Sequence, residues 1–179
     1  MSESPATGAP ALFETDRIVA RHIVETDVDD LFAVYGDAEA MKWVDDGQPI
    51  AWQSCVDWVG VTHRNYAARG YGMTAIVLKE TARIVGFCGV VHPGGQIEPE
   101  LKYAYLREVW GIGLATEVAR AMISYAADAF SLRRIIATTD PDNLASHRVL
   151  IKAGMSHLET TPNDDGSFTK TFVWESSKS

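Results

Sequence analysis

The segment that most limits how this chain can fold runs from Glu100 to Met122, ELKYAYLREVWGIGLATEVARAM. Its first part alternates at the period of a β-strand, with Leu101, Tyr103 and Tyr105 on one face and Glu100, Lys102 and Ala104 on the other. Its last part repeats apolar residues at helical spacing, Leu114, Val118, Ala121 and Met122, and the stripe continues to Tyr125. Gly111 and Gly113 stand between the two. A strand therefore turns through Gly-x-Gly into a helix, and two readings of that turn stay open. One is a tight connection that only needs the conformational freedom of glycine. The other is an anion site, because the first N–H groups of a helix have no intrahelical partner and carry the positive end of its dipole. The Lys-Ser/Thr pair of a P-loop is absent, as are the third glycine and the acidic strand end of a dinucleotide fingerprint.

The flanking sequence supplies short elements of both kinds. LFETDRIVARHIV reads as a first strand, and Thr26 or Asp27 would cap a helix that turns Val28, Leu31, Phe32 and Tyr35 inward. Asp45, Asp46, Gly47 and Pro49 form a loop. Trp52, Val56, Val59 and His63 mark a second helix, which Gly70 stops. GMTAIVLKE and ARIVGFCGVVHP make a hairpin about Glu80 and Thr81. LRRIIATTD is a strand, PDNLASHRVLIKAG a helix capped by Asp142 or Asn143, and MSHLETT and FTKTFVWE are two final strands. The order is strand, two helices, three strands, helix, strand, helix, two strands. That is an α/β (α+β) chain with an antiparallel front half and a β-helix-β unit behind it. At 179 residues and 46% hydrophobic, it suits one core. We expect a loose tail over residues 1–11 and a single domain over 12–176.

A formal charge of -8 argues against nonspecific binding to DNA or to an anionic membrane, and mildly favours amine-bearing partners. Cys55 and Cys88 have neither disulfide-framework nor metal-ligand spacing, and Cys88 sits in the apolar run IVGFCGVV as a small buried hydrophobe. The N-terminus lacks the basic and apolar regions of a signal peptide, and no apolar run is long enough for a membrane span, so a cytoplasmic protein is expected.

WGIGLATE followed some thirty residues later by NLASHRVLIKAGM resembles the GNAT N-acetyltransferases, and within them the ribosomal-protein N-terminal acetyltransferase (RimJ/RimL-like) branch. TDRIVARHIVETDVDDLFAVYGD is similar to the first strand and helix of that branch, and ELKYAYLREVWGIGLATE to its fourth strand and pyrophosphate loop. The landmarks run in order from Thr15 to Trp174. The resemblance implies a mixed, mostly antiparallel central sheet of about six to seven strands with helices on both faces, splayed between its fourth and fifth strands. It also implies acetyl-CoA as cosubstrate, with no metal. Backbone groups of Val109, Trp110, Gly111, Ile112, Gly113, Leu114, Ala115 and Thr116 would hold its pyrophosphate. Those of Tyr103, Ala104 and Tyr105 would pair with its pantetheine arm, and Asn143 and Ser146 would lie beside the arm and the thioester. Asn143 is equally a helix cap.

The expected activity is transfer of acetyl from acetyl-CoA to a primary amine, on a protein N-terminus or a small amine or amino acid, directly in a ternary complex. The alternative is an acyl-CoA-binding module without turnover. Such a transfer needs a neutral amine, a polarised carbonyl and a proton for sulfur. Glu100 is the candidate base, with a solvated strand-face carboxylate as the competing reading. Glu98 and His92 are poorer candidates, and Glu117 reads as structural. Many relatives carry a tyrosine acid where this chain has Leu150, which leaves Ser146 as the nearest hydroxyl. Lys102 stands where relatives often have glycine. Trp43, Asp45, Asp46 and Trp52 either line an acceptor mouth or are core and turn residues. A homodimer is left open.

Overall fold

The computed structural model describes residues 9–177. Residues 1–8 of the expected tail lie outside the described residues. One eight-stranded sheet has the order β1 (Ala11–Glu14), β2 (Ile18–Arg21), β3 (Met73–Leu78), β4 (Arg83–Val91), β5 (Glu100–Tyr105), β6 (Arg134–Thr139), β8 (Phe168–Glu175), β7 (Ser156–Pro162). Every neighbouring pair is antiparallel except β5 and β6. The helices are α1 (Val28–Tyr35), α2 (Ala38–Met41), α3 (Trp52–Arg69), α4 (Leu114–Phe130) and α5 (Leu144–Lys152).

Strand alternation, slipped by one residue at a β-bulge at Val85, sends side chains to two separate cores. On β4, Ile84 and Phe87 join Leu31, Tyr35, Cys55 and Val59 beneath α1 and α3. Val85, Cys88 and Val90 point the other way, to Leu114, Val118, Met122 and Leu150 beneath α4 and α5. The sheet is thus covered on both faces. Among the described residues, no helix is long and apolar enough to cross a membrane.

Several element boundaries differ from those expected. The single first strand is two, because Thr15 folds the chain back: its N–H reaches the Ile18 carbonyl at 3.0 Å and its hydroxyl accepts from Ile18 N–H at 3.3 Å. This makes eight strands instead of six or seven. Neither Thr26 nor Asp27 caps α1 with its side chain. Asp27 instead accepts from Val24 N–H at 2.9 Å and from both terminal nitrogens of Arg21, at 2.7 and 2.9 Å. The first helix also stops at Gly36, and Asp37 starts the short α2 by accepting from Glu39 N–H. On α3 the buried stripe is Cys55, Val59 and Thr62, leaving Trp52 and His63 on the exposed side. Gly70 does end that helix, at φ +82°, with its N–H on the Tyr66 carbonyl.

The departure from a regular sheet lies between β5 and β6. Their register has one pair, Glu100 opposite Ile136, beside a 2.9 Å bond from Ile136 N–H to the Pro99 carbonyl. Past that point β6 pairs with β8 over its whole length, and β5 pairs with β4. The bond from Leu106 N–H to the Val85 carbonyl, 2.8 Å, fixes the phase of the β4–β5 ladder. In an antiparallel ladder alternate residues bond to the partner strand. Ala104 and Lys102 therefore turn their backbone groups to β4, while Tyr103 and Tyr105 turn theirs toward the widening gap.

Candidate active site

At the open end of the gap, β5 runs into a short 3-10 turn, Arg107–Val109, and then through Trp110, Gly111 and Ile112 to Gly113. Gly111 and Gly113 have φ of +75° and +79°. A Cβ on Gly111 would meet nothing within 4 Å, and one on Gly113 only Arg17 Nη2, at 3.8 Å. Glycine is demanded here by backbone conformation, not by crowding within the protein. The first helical bond of α4 is from Glu117 N–H to the Gly113 carbonyl, 3.1 Å, so the N–H groups of Leu114, Ala115 and Thr116 precede the ladder. The indole Nε1 of Trp110 donates to the Tyr105 carbonyl at 3.0 Å and ties the loop to the end of β5.

The β1–β2 turn braces this loop from outside. Arg17 donates from Nη1 to the Ile112 carbonyl at 2.9 Å and from Nε to Glu117 Oε2 at 2.6 Å. Thr15 donates its hydroxyl to Glu117 Oε1, also at 2.6 Å. Burial opposes the charge on Glu117, but the bonds from Thr15 and Arg17 outweigh it and hold the carboxyl below its ordinary value. Glu117 is thus structural, as expected. Nothing in the sequence points to Arg17, whose contacts lie about a hundred residues away.

Across the gap, Asn143 caps α5 by accepting from Ser146 N–H at 3.2 Å, which settles the choice between Asp142 and Asn143. Ser146 Oγ lies 2.8 Å from the Tyr103 hydroxyl, so a side chain of β5 meets α5 beneath the diverging strands. Burial raises the Tyr103 phenol well above its ordinary value, and the bond to Ser146 only partly offsets this. Leu150 is 1% exposed and packs in the core beneath α4.

Glu100 sits at the closed end. It is 4% exposed, so the solvated-carboxylate reading fails. Its two oxygens accept from Thr138 Oγ1 and from Gln96 Nε2. Gln96 belongs to a chain of contacts: its carbonyl accepts from His92 Nδ1 at 3.0 Å, and His92 Nε2 lies 2.7 Å from the Tyr71 hydroxyl. A carbonyl only accepts, so Nδ1 carries the proton, and in the neutral ring Nε2 accepts from Tyr71. Glu98 is ion-paired with Arg134. Of the acceptor-mouth residues, Asp45 lies against β5 through a 2.8 Å ion pair with Lys102. Trp43 is exposed, with Lys42 Nζ over its ring, and Trp52 bonds Asp29 of α1. Neither tryptophan is core.

An acetyltransferase (GNAT) domain matches residues 17–156, which takes in the braced loop, the divergent strands and α5. The chain belongs to the GNAT acetyltransferase family. It is therefore an acyltransferase of the class that acts on amine acceptors. This GNAT chain is 32% identical to YkkB of Bacillus subtilis (strain 168) over 151 residues, 82% of this chain and 86% of that one. It is 28% identical to YoaA, an uncharacterized N-acetyltransferase of the same organism, over 80% of this chain and 81% of YoaA. Among solved structures, an acetyltransferase from Agrobacterium tumefaciens str. C58 superposes with a TM-score of 0.80 at 21% identity, covering 98% of this chain and 100% of that one. RimL, a ribosomal L7/L12 α-N-protein acetyltransferase in complex with coenzyme A, gives 0.79 at 16%, covering 93% and 98%. Those two structures share the GNAT fold with this chain.

Proposed function

We propose that this GNAT chain moves the acetyl group of acetyl-CoA to a primary amine, on a protein N-terminus or a small amine or amino acid, by direct transfer in a ternary complex. One observation carries the reading. The gap where β5 lacks a partner strand opens directly onto the N–H groups at the start of α4. A donor with an amide-bearing arm and a pyrophosphate needs both features side by side. The residues fit such a group. Tyr103 and Tyr105 offer backbone donors and acceptors to the arm, and Gly111, Gly113, Leu114, Ala115 and Thr116 offer N–H groups with no Cβ from the glycines in the way.

Acetyl-CoA supplies an activated thioester carbonyl, and the rest falls to the chain. Tyr103 N–H faces the gap and is placed to hydrogen-bond a carbonyl there. Glu100 stands at the start of the same strand and takes the proton of the incoming amine, through a water where direct contact is not made. Thr138 and Gln96 fix its carboxylate for that role. Ser146 presents a hydroxyl where sulfur departs. The -8 charge of the chain favours cationic acceptors on approach.

The test is thiol release from acetyl-CoA in the presence of N-terminal peptides, amino acids, polyamines or aminoglycosides. Acceptor-dependent release with at least one class is expected. Binding of acetyl-CoA without such release from any class refutes transfer to these amines, and failure to bind acetyl-CoA refutes the donor site itself.

A further inference from the structure

The geometry points to the Tyr103 side chain as a positioning residue that aims the Ser146 hydroxyl at the sulfur of the donor. This rests on the acetyl-CoA reading above and adds a role for the phenol, where that reading used only the backbone of Tyr103. The two hydroxyls are 2.8 Å apart, one on the strand that lines the gap and the other on the first turn of the helix facing it.

A hydroxyl has one proton and two lone pairs. Ser146 backbone is already fixed, its N–H held by the Asn143 cap. When Tyr103 donates to Ser146 Oγ, one lone pair of that oxygen is occupied and its proton is free for another acceptor. The Leu150 side chain, a hydrocarbon packed into the core, has no acceptor atom. A sulfur gaining negative charge in the gap is an acceptor of the right kind, and a bond to a charged group is stronger than one between neutral groups. Burial keeps the phenol protonated across the working range of pH, so it acts as a standing donor and not as a proton source. The departing thiolate is thus stabilised by a hydrogen bond from Ser146 and takes its own proton from solvent.

The titratable groups packed about the pair do not share the response. Cys88, opposite Tyr103 on β4, is pushed up to about 12 by burial, and Tyr105 is raised further by the same cause. His147, next on α5, is pushed down by burial and is neutral above pH 7. None of these changes charge between pH 7 and 9.5. Asp140, whose carbonyl His147 contacts, and Lys170, over the Phe172 ring, are the charged groups beside His147.

The experiment needs no acceptor. Affinities of CoA and of desulfo-CoA, which lacks the thiol, are measured by calorimetry at pH 7.0 and 9.5. If Ser146 stabilises the bound thiolate enough to lower a thiol pKa of ~8.5 by about one unit, CoA gains roughly sevenfold over desulfo-CoA between the two pH values. Tyr103→Phe should cut that gain to about twofold or less, Ser146→Ala should abolish it, and the double variant should match Ser146→Ala. Melting temperatures establish that each variant is folded, and Ser146→Ala breaks the same bond from α5 should Tyr103→Phe prove unstable. The inference is overturned if the wild type shows no gain, if Tyr103→Phe keeps it, or if the two effects are independent. In each of those cases unchanged binding of desulfo-CoA leaves the donor site standing. Failure of the wild type to bind either compound refutes that site instead.

Discussion

Gly113→Ala separates what the loop does for the fold from what it does for the donor. Gly113 is at φ +79°, where an L-residue costs about 1–2 kcal/mol. The added Cβ meets only Arg17 Nη2, at 3.8 Å, so no steric cost adds to this. Stability should fall by about 1 kcal/mol, a drop of some 2–4 °C in melting temperature for a chain of this length. Binding should suffer more. The strained turn relaxes by rotating its peptide planes, and the N–H groups that precede the α4 ladder leave their common direction. Each hydrogen bond lost to a charged phosphate oxygen is worth about 1.5–3 kcal/mol. One such loss lowers affinity by about tenfold to a hundredfold. Calorimetry with CoA measures it, and acetyl-pantetheine, which has no pyrophosphate, provides the control. An unchanged CoA affinity in a variant that melts a few degrees lower would show that the glycine serves the turn alone. An equal loss for acetyl-pantetheine would place the effect in the gap and not at the loop.

Other substitutions test other parts of the structure. Tyr105 Oη is buried with the Cys88 thiol, a weak hydrogen-bonding group, as its polar neighbour, so Tyr105→Phe should change stability by less than about 1 kcal/mol, and a larger drop in urea unfolding would show that the thiol contact carries real weight. Asp27 and Arg21 form a two-bonded ion pair with side-chain exposures of 7% and 11%; Asp27→Asn should cost about 3 kcal/mol in urea unfolding, and a loss below 1 kcal/mol would contradict the burial argument. The Glu117 carboxyl is held below its ordinary value in the folded chain, so its contribution is present above the unfolded-state pKa of ~4.3 and is lost as pH falls through the folded value. Glu117→Gln should therefore flatten the acid limb of the stability profile below about pH 4.3 while leaving its shape at neutral pH, and an unaltered acid limb would refute this coupling.

The elements legible in the sequence were those whose periodicity is backed by a local stop signal. Gly70 ended α3 where expected, and the Gly-x-Gly segment led from strand to helix at the expected residues. Elements set by distant contacts were not legible. The break at Thr15 is stabilised by Glu117 on α4, about a hundred residues away, and no local pattern encodes it. Asp27 looked like a cap because it precedes an apolar stripe, but its partner is Arg21 on the preceding strand. In the candidate site, the face carrying Glu100 followed from alternation. Its burial and its partners did not, because Gln96 lies in a loop and Thr138 on a strand that becomes a neighbour only through the crossover. Alternation likewise put Tyr103 on the face opposite Glu100, although only the packing of α5 shows that its hydroxyl finds Ser146.

The divergence of β5 from β6 also has a mechanical side. A hydrogen-bonded ladder fixes register and resists sliding, but apolar packing has no direction and permits small shear. The β1–β5 slab and the β6–β8 slab share one registered backbone pair at one end, where the Thr138–Glu100 and Arg134–Glu98 bonds add to it, and the side chains beneath α4 and α5 hold them together elsewhere. Glu100 and Ile136 thus stand at a pivot. A molecule that entered from the far end would act as a wedge, and each backbone bond it made with Tyr103 or Tyr105 would add to the single registered pair at this joint.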